Sequence, residues 1–245
     1  MEKNLSLIIG GTGGIGIETA KTLLDEGMKV CVCGRDNLES ARKELIAFKE
    51  TDVDFYNLDL TKKESVEKTI SLILNKHKEI NSIIYSVSNP IKHSKIENLE
   101  WVDFQEHIDI QIKGFLTVVQ AILAKVENPK IKFVVVLTEY CIGKPPAGIS
   151  NYITAKYGLM GFVKAMASEL SRGNCTFNMV SPGMVDTKLL SNLPPKLIEI
   201  TAHQNPLGRI SKPKDVANVL SFLVSDKADY LNGVNIPING GNIFT

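Results

Sequence analysis

The chain has 245 residues, with 28 lysines and arginines against 27 aspartates and glutamates, which leaves a formal net charge of +1. That length is enough for one sizeable core and fits a single α/β domain over 1–245. So even a charge balance offers no general field for nucleic acid or an anionic membrane surface, and neither is expected as a partner.

The chain begins Met1-Glu2-Lys3-Asn4 and passes directly into apolar Leu5 to Ile9, without a basic leader or cleavage site, so no signal peptide is expected. No apolar run approaches the roughly 20 residues of a membrane span. The four cysteines, Cys31, Cys33, Cys141 and Cys175, lack metal-site spacing. Buried free thiols, no metal and a cytoplasmic location are the expectation.

Short Val-, Ile- and Leu-rich runs recur at Leu5 to Ile9, Met28 to Cys33, Val53 to Asn57, Ser82 to Val87, Ile131 to Leu137, Cys175 to Val180 and Val234 to Ile238. They read as strands buried on both faces. Between them, apolar residues three and four apart predict helices over Ile15 to Glu26, Leu38 to Phe48, Ser65 to Leu74 and Trp101 to Val126, with a further helix starting at Pro213. Alternation of this kind predicts an α/β fold, a Rossmann-like doubly wound parallel sheet with helices on both faces. Lys144-Pro145-Pro146-Ala147-Gly148 and Asn192-Leu193-Pro194-Pro195 read as turns or loops.

The first strand runs into Gly10-Gly11-Thr12-Gly13-Gly14-Ile15-Gly16 and a helix follows at once. Glycines there let backbone N–H groups approach a phosphate, and the helix amino terminus favours its charge, so a dinucleotide pyrophosphate is the natural ligand. The second strand ends Cys33-Gly34-Arg35-Asp36. An NAD site would want an acid where Gly34 stands, whereas Arg35 can pair with a 2′-phosphate, which favours NADP(H); Asp36 keeps NAD open. Asp59-Leu60-Thr61 follows the third strand, and Asp59 reads either as an adenine contact or as a cap for the next helix.

Tyr152 and Lys156 stand four apart at the start of a helical pattern and so share a face. A phenol titrates at about 10, and a neighbouring ammonium would lower that value and equip Tyr152 for proton transfer. The glycine turn, this Tyr-x-x-x-Lys pair and Asn178-Met179-Val180-Ser181-Pro182-Gly183 followed by Thr187 together resemble the short-chain dehydrogenases/reductases. Pro206-Leu207-Gly208-Arg209, Pro213-x-Asp215-Val216-Ala217, Phe222-Leu223-x-Ser225-Asp226 and Gly240-Gly241 are similar to bacterial 3-oxoacyl-acyl-carrier-protein reductases.

The resemblance implies hydride transfer between nicotinamide C4 and a carbonyl carbon, with Tyr152 handling the proton and Lys156 also holding the nicotinamide ribose. It places Pro182, Gly183 and Val185 beside the nicotinamide, Thr187 near the carboxamide, and a mobile substrate loop over 184–205. Leu60 and Ser86 join the cofactor contacts. The implied substrate is a small-molecule or acyl-carrier-bound carbonyl, a 3-oxoacyl thioester among the candidates, and the implied assembly is a homotetramer packed through Trp101 to Val126 and Tyr152 to Leu170.

Three departures from the family pattern lie close to the chemistry. The catalytic serine stands about thirteen residues before the tyrosine, hydrogen-bonding the substrate oxygen. Counting back without a gap reaches Glu139, and a one-residue insertion reaches Thr138; both stay open. A glutamate there would repel developing negative charge or support a modified acid–base reaction, while its ordinary reading is a carboxylate turned to solvent. Tyr85-Ser86-Val87-Ser88 replaces Asn-Asn-Ala-Gly, and Gln111 stands where the family has an asparagine that holds a relay water. These changes leave a nucleotide-binding pseudoenzyme or assembly partner as the alternative. His93 and His107 read as surface histidines, and Cys141 as a buried or pocket-lining thiol.

Overall fold

Unbroken apolar strand runs are stable only where both faces are covered, and here they are. The computed structural model describes residues 3–48, 52–170, 172, 174–191 and 193–244. Met1 and Glu2, and Asn192 of the proline turn, therefore lie outside the described residues. Seven strands, β1 (Leu5–Ile9), β2 (Lys29–Gly34), β3 (Val53–Asn57), β4 (Ser82–Tyr85), β5 (Lys132–Val136), β6 (Thr176–Pro182) and β7 (Asn235–Ile238), form one sheet in the order β3-β2-β1-β4-β5-β6-β7. Every neighbouring pair is parallel.

The helices are α1 (Gly14–Asp25), α2 (Leu38–Ile46), α3 (Lys63–His77), α4 (Trp101–Ile108), α5 (Gly114–Leu123), α6 (Ser150–Glu169), α7 (Pro195–Gln204) and α8 (Pro213–Val224). Strand alternation divides the core in two. Leu7, Cys31, Cys33, Ile83, Phe133 and Phe177 meet α3, α5 and α6 on one face. Ile8, Val30, Val32, Val134 and Val180 meet α1 and α8 on the other. All four cysteines are free and buried. Among the described residues, no helix is long and apolar enough to cross a membrane.

The strand order reverses beside β1, whose neighbours are β2 and β4, and such a switch opens a crevice at the carboxyl ends of the strands. Three expectations need correction in this region. β4 ends at Tyr85 rather than Val87, because the Val87 carbonyl turns away to accept side-chain hydrogen bonds from Gln111 and Lys156. The helix expected over Trp101 to Val126 is interrupted by a π-helical turn, Asp109–Lys113. The segment 184–205, expected as a loop, contains α7: Pro195 occupies its first turn, where the missing N–H costs no hydrogen bond.

Candidate active site

At the crevice, Gly10 and Gly11 both donate to the Cys33 carbonyl at 3.0 Å, which folds the turn back over β2. Gly10 has φ 79°, and a Cβ built on it would lie 2.2 Å from the Ser86 oxygen, so only glycine fits there. α1 starts without a side-chain cap, so its first amides keep their donor capacity for an anion. Thr187 reaches this point from the other half of the sheet, within 2.8 Å of a Cβ built on Gly14. One cleft is lined by Gly10, Thr12, Gly13, Gly34, Arg35, Asp36, Asp59, Leu60, Thr61, Ser86 and Val87, which brings seven of the sixteen expected cofactor residues together. Ile15 and Gly16 lie in the first turn of α1, and Pro182, Gly183 and Val185 lie at and just beyond the end of β6. The Gly183 amide is held by the Ile238 carbonyl at 3.0 Å, and Val185 is buried.

The cleft wall also sets which charges a ligand meets. A Cβ on Gly34 would stand 2.7 Å from the Thr12 side chain, so Thr12 itself closes the place where an acidic side chain could stand. Arg35 is exposed, and its Nε donates to Asp36 at 3.0 Å. The Asp59 carboxylate accepts from the Thr61 amide and hydroxyl at 3.1 and 2.6 Å, closing the turn before α3 while still facing the cleft. The cap reading of Asp59 is corrected, since α3 starts after Lys62 without a side-chain cap and the Asp59 carboxylate is used in the preceding turn.

Lys156 is buried beside the cleft residue Val87, and its Nζ donates to the carbonyls of Val136 at 2.8 Å and Val87 at 3.3 Å. Gln111 donates to the same Val87 carbonyl at 2.8 Å. The Tyr85 hydroxyl donates to the Ile110 carbonyl inside the π turn, and Gly114 leaves room for it. That contact explains how a tyrosine is accommodated at the start of the altered Tyr85-Ser86-Val87-Ser88 segment. The Lys156 ammonium lies 5.9 Å from the Tyr152 ring centre.

Thr138, and not Glu139, forms a side-chain hydrogen bond with Tyr152. Burial pushes the Tyr152 phenol well above its ordinary value, and the Thr138 bond opposes that rise. Burial lowers Lys156 to about 8. The expectation of a phenol lowered by its neighbouring ammonium is therefore corrected: desolvation of both groups dominates.

Two further expectations are overturned. Glu139 is 3% exposed rather than solvent-facing: the Asn242 amide donates to Oε2 at 3.0 Å, and Asn239 also bonds the carboxylate. Burial is the largest influence and raises its carboxyl above the ordinary value. His107 is 4% exposed rather than on the surface, with its ring edge-on to Tyr152 at 5.7 Å, whereas His93 is exposed as expected. Neither Glu139 nor His107 carries a local sequence signal for burial, since their partners lie on other elements. Cys31, Asp54 and His77 bring ligand atoms within 4.8 Å of one another, but Asp54 is already engaged by Lys76 at 2.6 Å and His77 at 2.7 Å.

The family model described as enoyl-(acyl carrier protein) reductase matches residues 10–242. The chain belongs to the short-chain dehydrogenase/reductase family. It is 29% identical over 245 residues to 3-oxoacyl-[acyl-carrier-protein] reductase FabG of Thermotoga maritima, covering 98% of each chain. It is 27% identical over 243 residues to acetoacetyl-CoA reductase of an Acinetobacter species, again covering 98% of each. Among solved structures, levodione reductase matches with a TM-score of 0.90 at 24% identity, over 97% of this chain and 96% of that one. A Brucella melitensis 3-ketoacyl-(acyl-carrier-protein) reductase complexed with NADH matches with a TM-score of 0.88 at 22% identity, over 98% of each chain. These two structures share the fold. In this short-chain dehydrogenase/reductase, Thr138 ends the strand side of the site, and the Glu139–Cys141 turn and the loop before α6 connect it to Tyr152.

Proposed function

We propose that this oxidoreductase is an NADP(H)-dependent carbonyl reductase, built as one domain over 1–245, whose substrate is a 3-oxoacyl thioester. The observation that carries the reading is the buried Tyr152 phenol bonded to Thr138, one helical turn from Lys156, whose ammonium donates to the carbonyl of Val87 on the wall of the glycine-turn cleft. The names of the Thermotoga and Acinetobacter relatives both point to 3-oxoacyl thioester reduction. The cradle where Gly10 admits no Cβ and the uncapped start of α1 fit a nicotinamide dinucleotide, with Gly13, Gly14, Ile15 and Gly16 at its pyrophosphate. Asp59, Leu60 and Ser86 would contact the adenosine side, while Pro182, Gly183, Val185 and Thr187 would border the nicotinamide.

When bound, the cofactor supplies hydride to the carbonyl carbon. Tyr152 gives its proton to the carbonyl oxygen, which becomes the alcohol, and Thr138 holds that oxygen by hydrogen bonding. Lys156, fixed by two backbone carbonyls, stabilises the phenolate left behind, and Gln111 shares the Val87 carbonyl that orients it. Preference for NADP(H) is supported by the absence of any acid at Gly34 and the exposed Arg35 guanidinium on the cleft wall, with Asp36 orienting that guanidinium. Buried free thiols favour a reducing cytoplasmic setting.

The test is a spectrophotometric screen for NADPH and NADH oxidation with acetoacetyl thioesters, ketones and quinones, with cofactor-fluorescence titration alongside. The expected result is thioester-dependent oxidation that is faster with NADPH. Tight NADPH binding with no turnover on any substrate would replace this reading with a nucleotide-binding pseudoenzyme.

A further inference from the structure

Along α6 runs a seam in which Asp103 and His107 of α4 and Gln111 of the π turn come close to Asn151, Tyr152 and Lys156. Asp103 accepts the Asn151 amide through its backbone carbonyl at 3.3 Å, and His107 sets its ring edge-on to Tyr152, with 71° between the planes. Gln111 and Lys156 then share the Val87 carbonyl. Four buried side-chain polar atoms among the described residues lack a hydrogen-bond partner, and three of them are here: His107 Nδ1, Gln111 Oε1 and Asn151 Oδ1. Native proteins leave few such atoms, and they concentrate where function imposes them. A phenylalanine or leucine at 107 would pack against Tyr152 with no orphaned nitrogen, so packing alone gives no reason for an imidazole.

We propose that His107 is a positioning residue for Tyr152, holding the phenol while neutral and disabling the site when protonated. The inference rests on the reading of Tyr152 as proton donor. Groups facing the imidazole are Glu106 and Asp103 on α4, Lys156 and Tyr152 on α6, and Lys92 on the segment after β4. Burial is the largest influence and lowers the His107 pKa below its ordinary value; the Lys156 and Lys92 cations add to that, and Glu106 and Asp103 oppose it. Neutral imidazole is therefore the form at neutral pH. Protonation on acidification adds a second buried cation whose charge repels the Lys156 ammonium from its two carbonyl partners. Tyr152 then loses its electrostatic support, and turnover falls on the acid side.

Two titrations of the full-length protein test this. In the first, side-chain NMR follows the histidine rings of the wild type and of Lys156→Met, with the His107 signal assigned by its loss in His107→Phe. Its midpoint should lie below the ordinary 6.5 and rise when the Lys156 cation is removed. A midpoint at or above 6.5, or one that Lys156→Met leaves in place, overturns the proposal without reference to any substrate. The second measures kcat for NADPH-dependent reduction of acetoacetyl-CoA. Wild-type rate should fall by up to about tenfold per pH unit below that midpoint, the limit for one proton. His107→Phe, which retains an aromatic ring against Tyr152, should lose this acid limb with KM little changed; His107→Gln serves if the phenylalanine variant does not fold. An acid limb unchanged in these variants overturns the proposal. If the first titration behaves as expected but the wild type turns over nothing, the reductase reading has failed rather than the placement of His107.

Discussion

Glu139 sits one residue from the Thr138 hydroxyl that meets Tyr152, yet its carboxylate serves a different purpose. Asn242 and Asn239 hold it, so the carboxyl-terminal segment is tied to the turn that carries Thr138. Its carboxyl also lies 3.3 Å from a Cβ built on Gly183, beside the end of β6. Because burial raises its folded-state pKa above the ordinary value, the associated stability is complete below about 4.5 and is lost as pH rises through the raised value. Glu139→Gln keeps an acceptor for Asn242 without burying a charge. Its melting temperature relative to wild type should therefore climb as the pH is raised from about 4 to about 8; a difference independent of pH in thermal melts would refute this. Lys156 has the opposite sign. With its ammonium lowered to about 8, turnover that needs the cation should decline as pH rises through that value.

The glycine turn shows how far an element can be read from sequence. Gly10 combines φ 79° with a Cβ position that falls inside van der Waals contact of the Ser86 oxygen. Gly10→Ala should cost on the order of 1 kcal/mol or more in stability and weaken NADPH binding together with it, read by denaturant titration and cofactor fluorescence. An alanine variant with unchanged stability and affinity would show that the turn can relax. The inner strands were legible because both their faces are buried, which leaves continuous apolar runs that the partly buried edge strands β3 and β7 lack, and the Tyr152–Lys156 pair was legible because helical spacing is local. The π turn was not: residues Asp109–Lys113 keep an apolar pattern, and what marks the break is Tyr85 of β4 bonding the Ile110 carbonyl, a partner 25 positions away. Glu139 and Asn242 are 103 positions apart, so the burial of that carboxylate depends on tertiary packing that its flanking residues do not encode. In α7 the paired prolines suggested a loop, although one of them starts the helix.

Across the whole molecule, the strand order reverses next to β1 and so brings residues from both halves of the chain to one crevice, Gly10 to Gly16 from the first and Thr187 from the second, which Lys156 adjoins through the Val87 carbonyl. On the outside, Trp101, Val102, Leu116 and Leu123 of α4 and α5, and Tyr157 of α6, are exposed large apolar or aromatic residues. Exposed apolar side chains on these helices fit the self-association that the family resemblance implies, and light scattering should give a mass of four chains; a monomer at all concentrations would contradict packing through these helices. Proton donation by Tyr152 is the step on which the proposed reaction turns. The most direct test compares wild type with Tyr152→Phe for NADPH oxidation on the thioester that the wild type reduces, with cofactor fluorescence measured on both. The variant should bind NADPH nearly as well as wild type and lose on the order of a hundredfold or more in rate. A Tyr152→Phe enzyme that retains the full rate would contradict the account.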